Sequence, residues 1–475
     1  MTTAAMRNPE PARTIRRQPS SWLMTAVSWI MIVMMIVPVS LFSGGGEEGG
    51  AEGNPLTRAL WLAILAVATV AALGRSALSL RVCRRLNVFM LLFMVLAAAS
   101  LVWSIDPSQT ARNMVRMMTI FAASLAVAVV GWNPRRYQQL LRPVLTTALA
   151  GSIVLGIVSP DQAIHHELNA ELANAWHGLF LTKNALGTAA SFTFILWAHG
   201  WLTRETRRGA AVLGMAIAGA CLFLSRSSTS IITTVLTSLA LILLVHTPSS
   251  WRRAVPYLTS GLVGMILLFS LAMLKVVPGL EILVAPIPAI TGKDLTFSNR
   301  TKIWTAVVEH AKYRPLLGSG YAAYWTMGNP TPDMESYAIK SQLEGFYPGS
   351  AHNGYLQVLN DLGTVGLCCL LAYFYVFVRD SLQLYRIDQS QGALFLALFL
   401  QQATANLTEP LWFNVLLVEF ALMLMATTCL SRSLLELRIQ PARAAGFPAG
   451  SPWIGLRRPH GSRRGPLKRT GWSRP

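Results

Sequence analysis

Long runs nearly free of charge, repeated from one end of the chain to the other, limit its fold more than any other feature. Twelve can be read: Trp22 to Phe42, Ala59 to Gly74, Leu86 to Ser104, Met117 to Trp132, Val144 to Ser159, Leu181 to Trp201, Ala210 to Leu224, Ile231 to His246, Tyr257 to Leu274, Tyr355 to Val378, Ala393 to Asn406 and Leu411 to Leu430. A helix rises about 1.5 Å per residue, so runs of this length match the roughly 30 Å of hydrocarbon in a bilayer. The expected fold is an all-α polytopic membrane bundle of about 12 transmembrane helices, one per run. Charged residues make up only 13% of the chain, about half the usual share in soluble domains.

The chain carries 40 Lys and Arg against 21 Asp and Glu, a net charge of +19. On a soluble protein that excess would point to nucleic acid. On a polytopic one, loop charge sets orientation and has first claim. The N-terminal side holds 28 of the basic residues and the opposite side 12, and the only acidic residues on the basic side are Glu10, Glu205, Asp380, Asp388 and Glu436. Both termini are therefore expected in the cytoplasm, and no nucleic-acid partner is implied. The organisation expected is a basic N-terminus (1–21), helices 1 to 9 (22–274), a large non-cytoplasmic loop (275–354), helices 10 to 12 (355–430) and a disordered basic tail (431–475). The first run is longer than the apolar core of a signal peptide and reads as retained. The tail reads as a solvated topogenic segment or one touching anionic lipid headgroups. The five cysteines lie in or beside the runs, with no disulfide framework and no metal-ligand pair.

The loop from Lys275 to Asn353 far exceeds the length at which a connection needs an explanation. It carries Ser298-Asn-Arg300-Thr-Lys-Ile-Trp304, with Trp304, Val307, Val308 and Ala311 at helical spacing, then Pro315 and the turn Gly318-Ser-Gly320. Ser298 or Asn299 suits an N-cap, and the apolar stripe suits a helix lying on the membrane surface. Arg300 at its start is either a phosphate-binding cation or an ordinary snorkelling side chain. His352, where the tenth run begins, is a proton acceptor, a metal ligand or a hydrogen-bonded packing residue. Arg226, among hydroxyls in Leu224-Ser-Arg226-Ser-Ser-Thr-Ser230, and Lys183, in Trp176-His-Gly-Leu-Phe-Leu-Thr-Lys183-Asn184, face the same side. Three cations from separate loops at one face suggest a site for a lipid-borne phosphate. Only Glu419 lies well inside a run, a thin supply of ionisable groups for a proton- or ion-coupled carrier.

Taken in order, Trp103-Ser-Ile-Asp106-Pro107, the Lys183 and Arg226 segments, Arg300-Thr-Lys-Ile-Trp304, Pro315-Leu-Leu-Gly318-Ser-Gly320, His352-Asn353-Gly-Tyr355-Leu and Asp361-Leu-Gly363-Thr-Val-Gly366 resemble the O-antigen ligase family of bacterial inner membranes. Within it they are similar to the branch of succinoglycan-type exopolysaccharide polymerases. The resemblance runs from about Trp22 to Leu430 and leaves out the tail. It implies a multi-pass inner-membrane glycosyltransferase that transfers glycan from undecaprenyl diphosphate to an acceptor hydroxyl at the periplasmic face, with inversion and without cofactor or metal. The partners implied are the undecaprenyl-diphosphate-linked glycan, membrane lipids and other exopolysaccharide assembly proteins. By the same resemblance His352 would be the general base, and Arg226, Arg300 and Lys183 would bind diphosphate, while Trp304, Tyr321, Tyr324 and Asn353 would contact glycan or support the loop. Should the base lie elsewhere, Asp106 and Glu409 come next. His310, outside the motif, is expected to be dispensable. The alternatives are a ligase moving finished glycan to lipid A core or another acceptor, and a non-enzymatic carrier or flippase for lipid-linked sugar.

Overall fold

The computed structural model describes residues 20–37, 55–165, 174–248, 250–259, 261, 264–265, 300–325 and 349–444. The basic N-terminus, most of the ninth run, the Ser298/Asn299 cap, much of the long loop and the tail beyond 444 lie outside the described residues. Among the described residues the helices are α1 (Ser20–Ile36), α2 (Pro55–Leu73), α3 (Ser76–Cys83), α4 (Val88–Ala99), α5 (Pro107–Val129), α6 (Arg136–Val158), α7 (Lys183–Leu202), α8 (Arg208–Leu224), α9 (Ser228–His246), α10 (Arg300–Ala311), α11 (Gly354–Ile387), α12 (Gln389–Ala405) and α13 (Val418–Ala444). No strands form among them, and the one β pairing is an isolated bridge between Ile164 and Trp176. Six of the helices are long and apolar enough to cross a membrane, or seven if α3 and the helix from Val88 to Val102, bent by 97°, form one broken span. An all-α membrane protein is thus the architecture observed.

Apolar residues recur around most of each helix, so helices bury against several neighbours at once. α7 packs against α8, α9 and α12, α2 and α13 against α5, and α4 and α12 against α11. One continuous apolar core joins them.

α11 is broken at Gly363, whose φ of 64° and ψ of −165° lie in a region open essentially to glycine alone. The break frees backbone groups that must find partners, and the Pro315–Gly320 turn supplies them. Thr364 and Val365 donate to the carbonyls of Pro315 (2.8 Å) and Leu316 (3.2 Å), while Ser319 and Gly320 donate to those of Asn360 (3.0 Å) and Asp361 (2.9 Å). The Trp103–Pro107 motif closes this junction from its other side. The Ile105 amide donates to the Ser319 carbonyl at 2.9 Å, and Trp103 Nε1 donates to the Leu317 carbonyl at 3.1 Å.

Four sequence expectations change. The apolar stripe of α10 faces protein rather than lipid: Ile303, Trp304 and Val307 cluster with Ala351 and Leu356 beside α11. The last helix starts at Val418, not Leu411, because Asn406 Oδ1 accepts from the amides of Leu411 (3.0 Å) and Trp412 (3.1 Å) and holds that stretch as a turn. Glu419 consequently stands in the first turn of a helix instead of well inside one. That helix also continues to Ala444, so Ser431–Ala444 are helical where a disordered tail was expected.

Candidate active site

The turn linking α12 to α13 is pinned by its aromatic residues. Phe413 stacks on Phe93 of α4 with centroids 3.8 Å apart, and Trp412 lies against Phe374 of α11 at 4.6 Å. Such contacts fix the main chain of the turn, and with it the position of Glu409.

Glu409 is the centre on which three distant segments converge. Arg300 Nη2, from the start of α10, donates to Glu409 Oε1 at 2.9 Å, and Asn184 Nδ2, from the start of α7, donates to the same oxygen at 2.7 Å. Glu409 Oε2 faces His352 Nδ1 at 3.9 Å, a charge contact too long for a direct hydrogen bond. The side chains are only partly open to solvent, 18% exposed for Arg300, 16% for Glu409 and 29% for His352. Burial would push the Glu409 carboxyl up, but His352 and Arg300 outweigh it and hold the group below the usual glutamate value. At neutral pH Glu409 is therefore an anion between two basic side chains.

His352 has a φ of 44°, a left-handed conformation that histidine adopts more readily than most residues. Its neighbours hold it there. Asn353 caps α11 by accepting from the amides of Tyr355 and Leu356, and its Nδ2 donates to the Leu407 carbonyl at 3.0 Å. The Ala351 amide donates to Gln357 Oε1, and Trp304 Nε1 donates to the Ala351 carbonyl, both at 3.0 Å. The chain on either side of His352 is thereby tied to α10, to α11 and to the Glu409 turn.

Of the other expected site residues, Lys183 is the first residue of α7, beside Asn184. Arg226 is exposed in the turn between α8 and α9, with a φ of 50°. Both segments touch the site: Thr408 Oγ1 donates to Thr229 Oγ1 at 3.3 Å, and Gly187 of α7 packs directly on Ser225, Ser227 and Ser230. The three cations expected to act together, Lys183, Arg226 and Arg300, thus sit on segments that meet, with that of His352, at one end of the bundle. Trp304, Tyr321 and Tyr324 are all buried. Tyr321 OH donates to the Phe413 carbonyl at 2.5 Å, and Tyr324 lies 4.5 Å from the His310 ring, so loop support is the role their positions fit.

His310, expected to be dispensable for activity, has a packing role in the structure. It is buried, with Nε2 2.7 Å from Ser319 Oγ. Asp106 accepts from the Gln109 amide at 2.9 Å and so caps α5, which leaves Glu409 as the only one of the two reserve candidates inside the site. Sequence reasoning named Glu409 only as that reserve and passed over Asn184 as a partner. The available signal was a carboxylate in the short turn Asn406–Pro410 between two apolar runs, on the same face as the three cations.

A family model described as O-antigen ligase matches residues 213–371. That stretch contains Arg226, Arg300, His352 and Asn353, and leaves Lys183, Asn184 and Glu409 outside. Over 297 residues the chain is 26% identical to the exopolysaccharide production protein ExoQ of Rhizobium meliloti (strain 1021), covering 58% of this chain and 61% of that protein. The chain thus spans about three fifths of the length of the curated relative it matches. Both findings support the resemblance to the O-antigen ligase and exopolysaccharide polymerase family.

Proposed function

We propose that this relative of O-antigen ligases and exopolysaccharide polymerases is a metal-independent inverting glycosyltransferase. It would join undecaprenyl-diphosphate-linked repeat units into exopolysaccharide at the periplasmic face of a bacterial inner membrane. The observation that carries this reading is the meeting of Arg300, His352 and the Lys183 and Arg226 segments at one end of the bundle. With Nδ1 turned to Glu409, His352 keeps Nε2 for the proton of the acceptor hydroxyl. As that proton leaves, the acceptor oxygen bonds to the anomeric carbon from the face opposite the donor, and the bond from that carbon to the diphosphate oxygen breaks. The diphosphate departs with the electron pair, so no acid is needed, and its charge falls to Arg300, Arg226 and Lys183. Arginine suits the task because its planar fork meets two phosphate oxygens at once.

Two expectations follow from this chemistry. Arg300→Lys is expected to lose most of the chain-growth activity and Arg300→Ala about 10² to 10³ of it, at unchanged expression, with Arg226 variants behaving alike. Wild-type turnover by purified Arg300→Ala protein would end the assignment. In a deletion strain, accumulated single repeats on lipid would identify a polymerase, and long unattached chains a ligase.

The layout proposed with it has twelve spans, cytoplasmic termini and the long loop in the periplasm, with the tail on the cytoplasmic side. α7 supports this sidedness, because its 20 residues separate the site from the Arg204–Arg208 turn by about 30 Å. A reporter fused after Gly320 should read as periplasmic and one after Arg438 as cytoplasmic. A cytoplasmic reading at Gly320 would remove the site from the face where the lipid-linked donor is presented.

A further inference from the structure

A carboxylate in the middle of a proposed diphosphate site poses a problem, since like charges repel. Glu409 nonetheless occupies the guanidinium that such a donor needs, at 2.9 Å. Its two oxygens also face different partners, Oε1 toward Arg300 and Asn184, Oε2 toward His352. We propose that Glu409 is an exchangeable counter-ion: it holds Arg300 while the site is empty, yields that guanidinium to the donor diphosphate, and then neutralises His352 when the imidazole takes the acceptor proton. This rests on the proposed glycosyl transfer and adds a positioning residue to it.

Four features of the site support the exchange. A diphosphate brings more negative charge than a carboxylate and offers more oxygens to the arginine fork, so it competes well for Arg300. Asn184 donates to Glu409 without carrying charge, at 2.7 Å, and remains as an anchor when Arg300 turns to the donor. The main chain beneath is fixed, with the Glu409 amide bonded to the Ala405 carbonyl at 3.1 Å and Trp412 and Phe413 wedged among the aromatic rings of α4 and α11. Only side-chain torsions need change. Finally, His352 Nδ1 is buried and finds no hydrogen-bond partner among the described residues, while the nearest carboxylate oxygen stands 3.9 Å away. A small rotation of Glu409, once released by Arg300, closes that gap just as the imidazole gains its charge. A carboxylate behind a proton-accepting histidine stabilises the imidazolium in this way in other enzymes.

Among the described residues the charged groups around Glu409 are Arg300 from α10, His352 just before α11 and the Glu419 carboxyl in the first turn of α13, with Lys183 of α7 and Arg226 of the α8–α9 turn on the adjoining segments. A plain structural salt bridge makes a different prediction from an exchangeable one. Removing the charge from a structural bridge weakens both binding and turnover. Removing it from an exchangeable counter-ion frees Arg300 for the donor and deprives His352 of its partner, so the two constants move in opposite senses.

The test uses the full chain purified in detergent. Affinity is measured with undecaprenyl diphosphate as the probe. Turnover is measured with lipid-linked repeats extracted from a strain lacking this protein. Glu409→Gln is expected to bind the probe several-fold more tightly and to lower kcat by about 10- to 10²-fold, at unchanged melting temperature. Glu409→Asp, which keeps the charge but reaches less far toward Arg300, should bind slightly more tightly and retain more turnover than Gln. Weaker probe binding by Gln, or wild-type constants, would overturn the exchange. If the Gln protein does not fold, the Asp variant decides alone, and unchanged or weaker probe binding by it would overturn the exchange equally. A wild-type protein that binds the probe but elongates nothing would instead sink the glycosyl-transfer reading, and the two failures are therefore distinguishable.

Discussion

Replacing His352 by alanine is expected to stop chain growth, a loss of about 10² to 10⁴ in rate, while the protein still inserts and still binds lipid-linked donor. Donor binding survives because the side chains proposed to hold the diphosphate, Arg300, Arg226 and Lys183, come from other segments, α10, the α8–α9 turn and the start of α7, and do not depend on the imidazole. His352→Asn is the better companion, since asparagine tolerates the positive φ of 44° that alanine resists. An equal loss in both variants isolates the missing base from any backbone effect. The contrast is His310, bonded to Ser319 in the protein interior: its alanine variant should lower the melting temperature, and whatever remains folded should turn over normally. EDTA should leave wild-type activity unchanged, because the proposed transfer gives the departing diphosphate's charge to Arg300, Arg226 and Lys183. In vitro elongation of purified donor measures all of this. Near wild-type elongation by both His352 variants would move the search for the base to Glu409.

What the sequence discloses about this site depends on how far apart the partners lie along the chain. The apolar runs and the basic loops are local patterns, so the helices and the face carrying the cations were legible from them. Arg300, Arg226, Lys183 and His352 could each be singled out by residue type and motif. Glu409 could not be ranked, because its partners Asn184 and Arg300 lie 225 and 109 positions away, and only the folded bundle gives it a role. The α10 stripe shows a different limit. Amphipathic spacing says that one face of a helix is buried, but a bilayer and a neighbouring helix satisfy the pattern equally, and here the neighbour is α11. Asp106 and His310 illustrate the same point for polar groups, since a cap and a buried hydrogen bond use the residue types that catalysis uses.

The Asp361–Gly366 and Pro315–Gly320 motifs were visible as separate strings, while their docking onto each other was not, because Gly363 interrupts the helix inside an otherwise apolar run. That junction is the basis for the largest stability effect expected here. A Cβ added at Gly363 would lie 2.3 Å from the Leu316 carbonyl atoms and 2.5 Å from the Leu317 nitrogen, all of them backbone that cannot swing aside. The φ of 64° with ψ of −165° adds strain of its own. Gly363→Ala is therefore expected to cost about 4 kcal/mol or more, in the exceptional range for one substitution, and to reduce both yield and melting temperature in detergent. Gly318→Ala, whose Cβ would meet the Asp361 and Leu362 backbone at 2.6 Å, attacks the same contact from the other side. The two losses should be far from additive, since either one alone separates the turn from the helix. Gly219→Ala in α8, with nothing within 4 Å of the new carbon, is the neutral comparison. Because the turn follows α10 and the broken helix begins just after His352, loosening the junction frees Arg300 and His352 to drift apart. Any Gly363→Ala protein that does fold should thus lose turnover more than donor binding, and a variant with wild-type melting temperature and turnover would show that the docked backbone does not position the site.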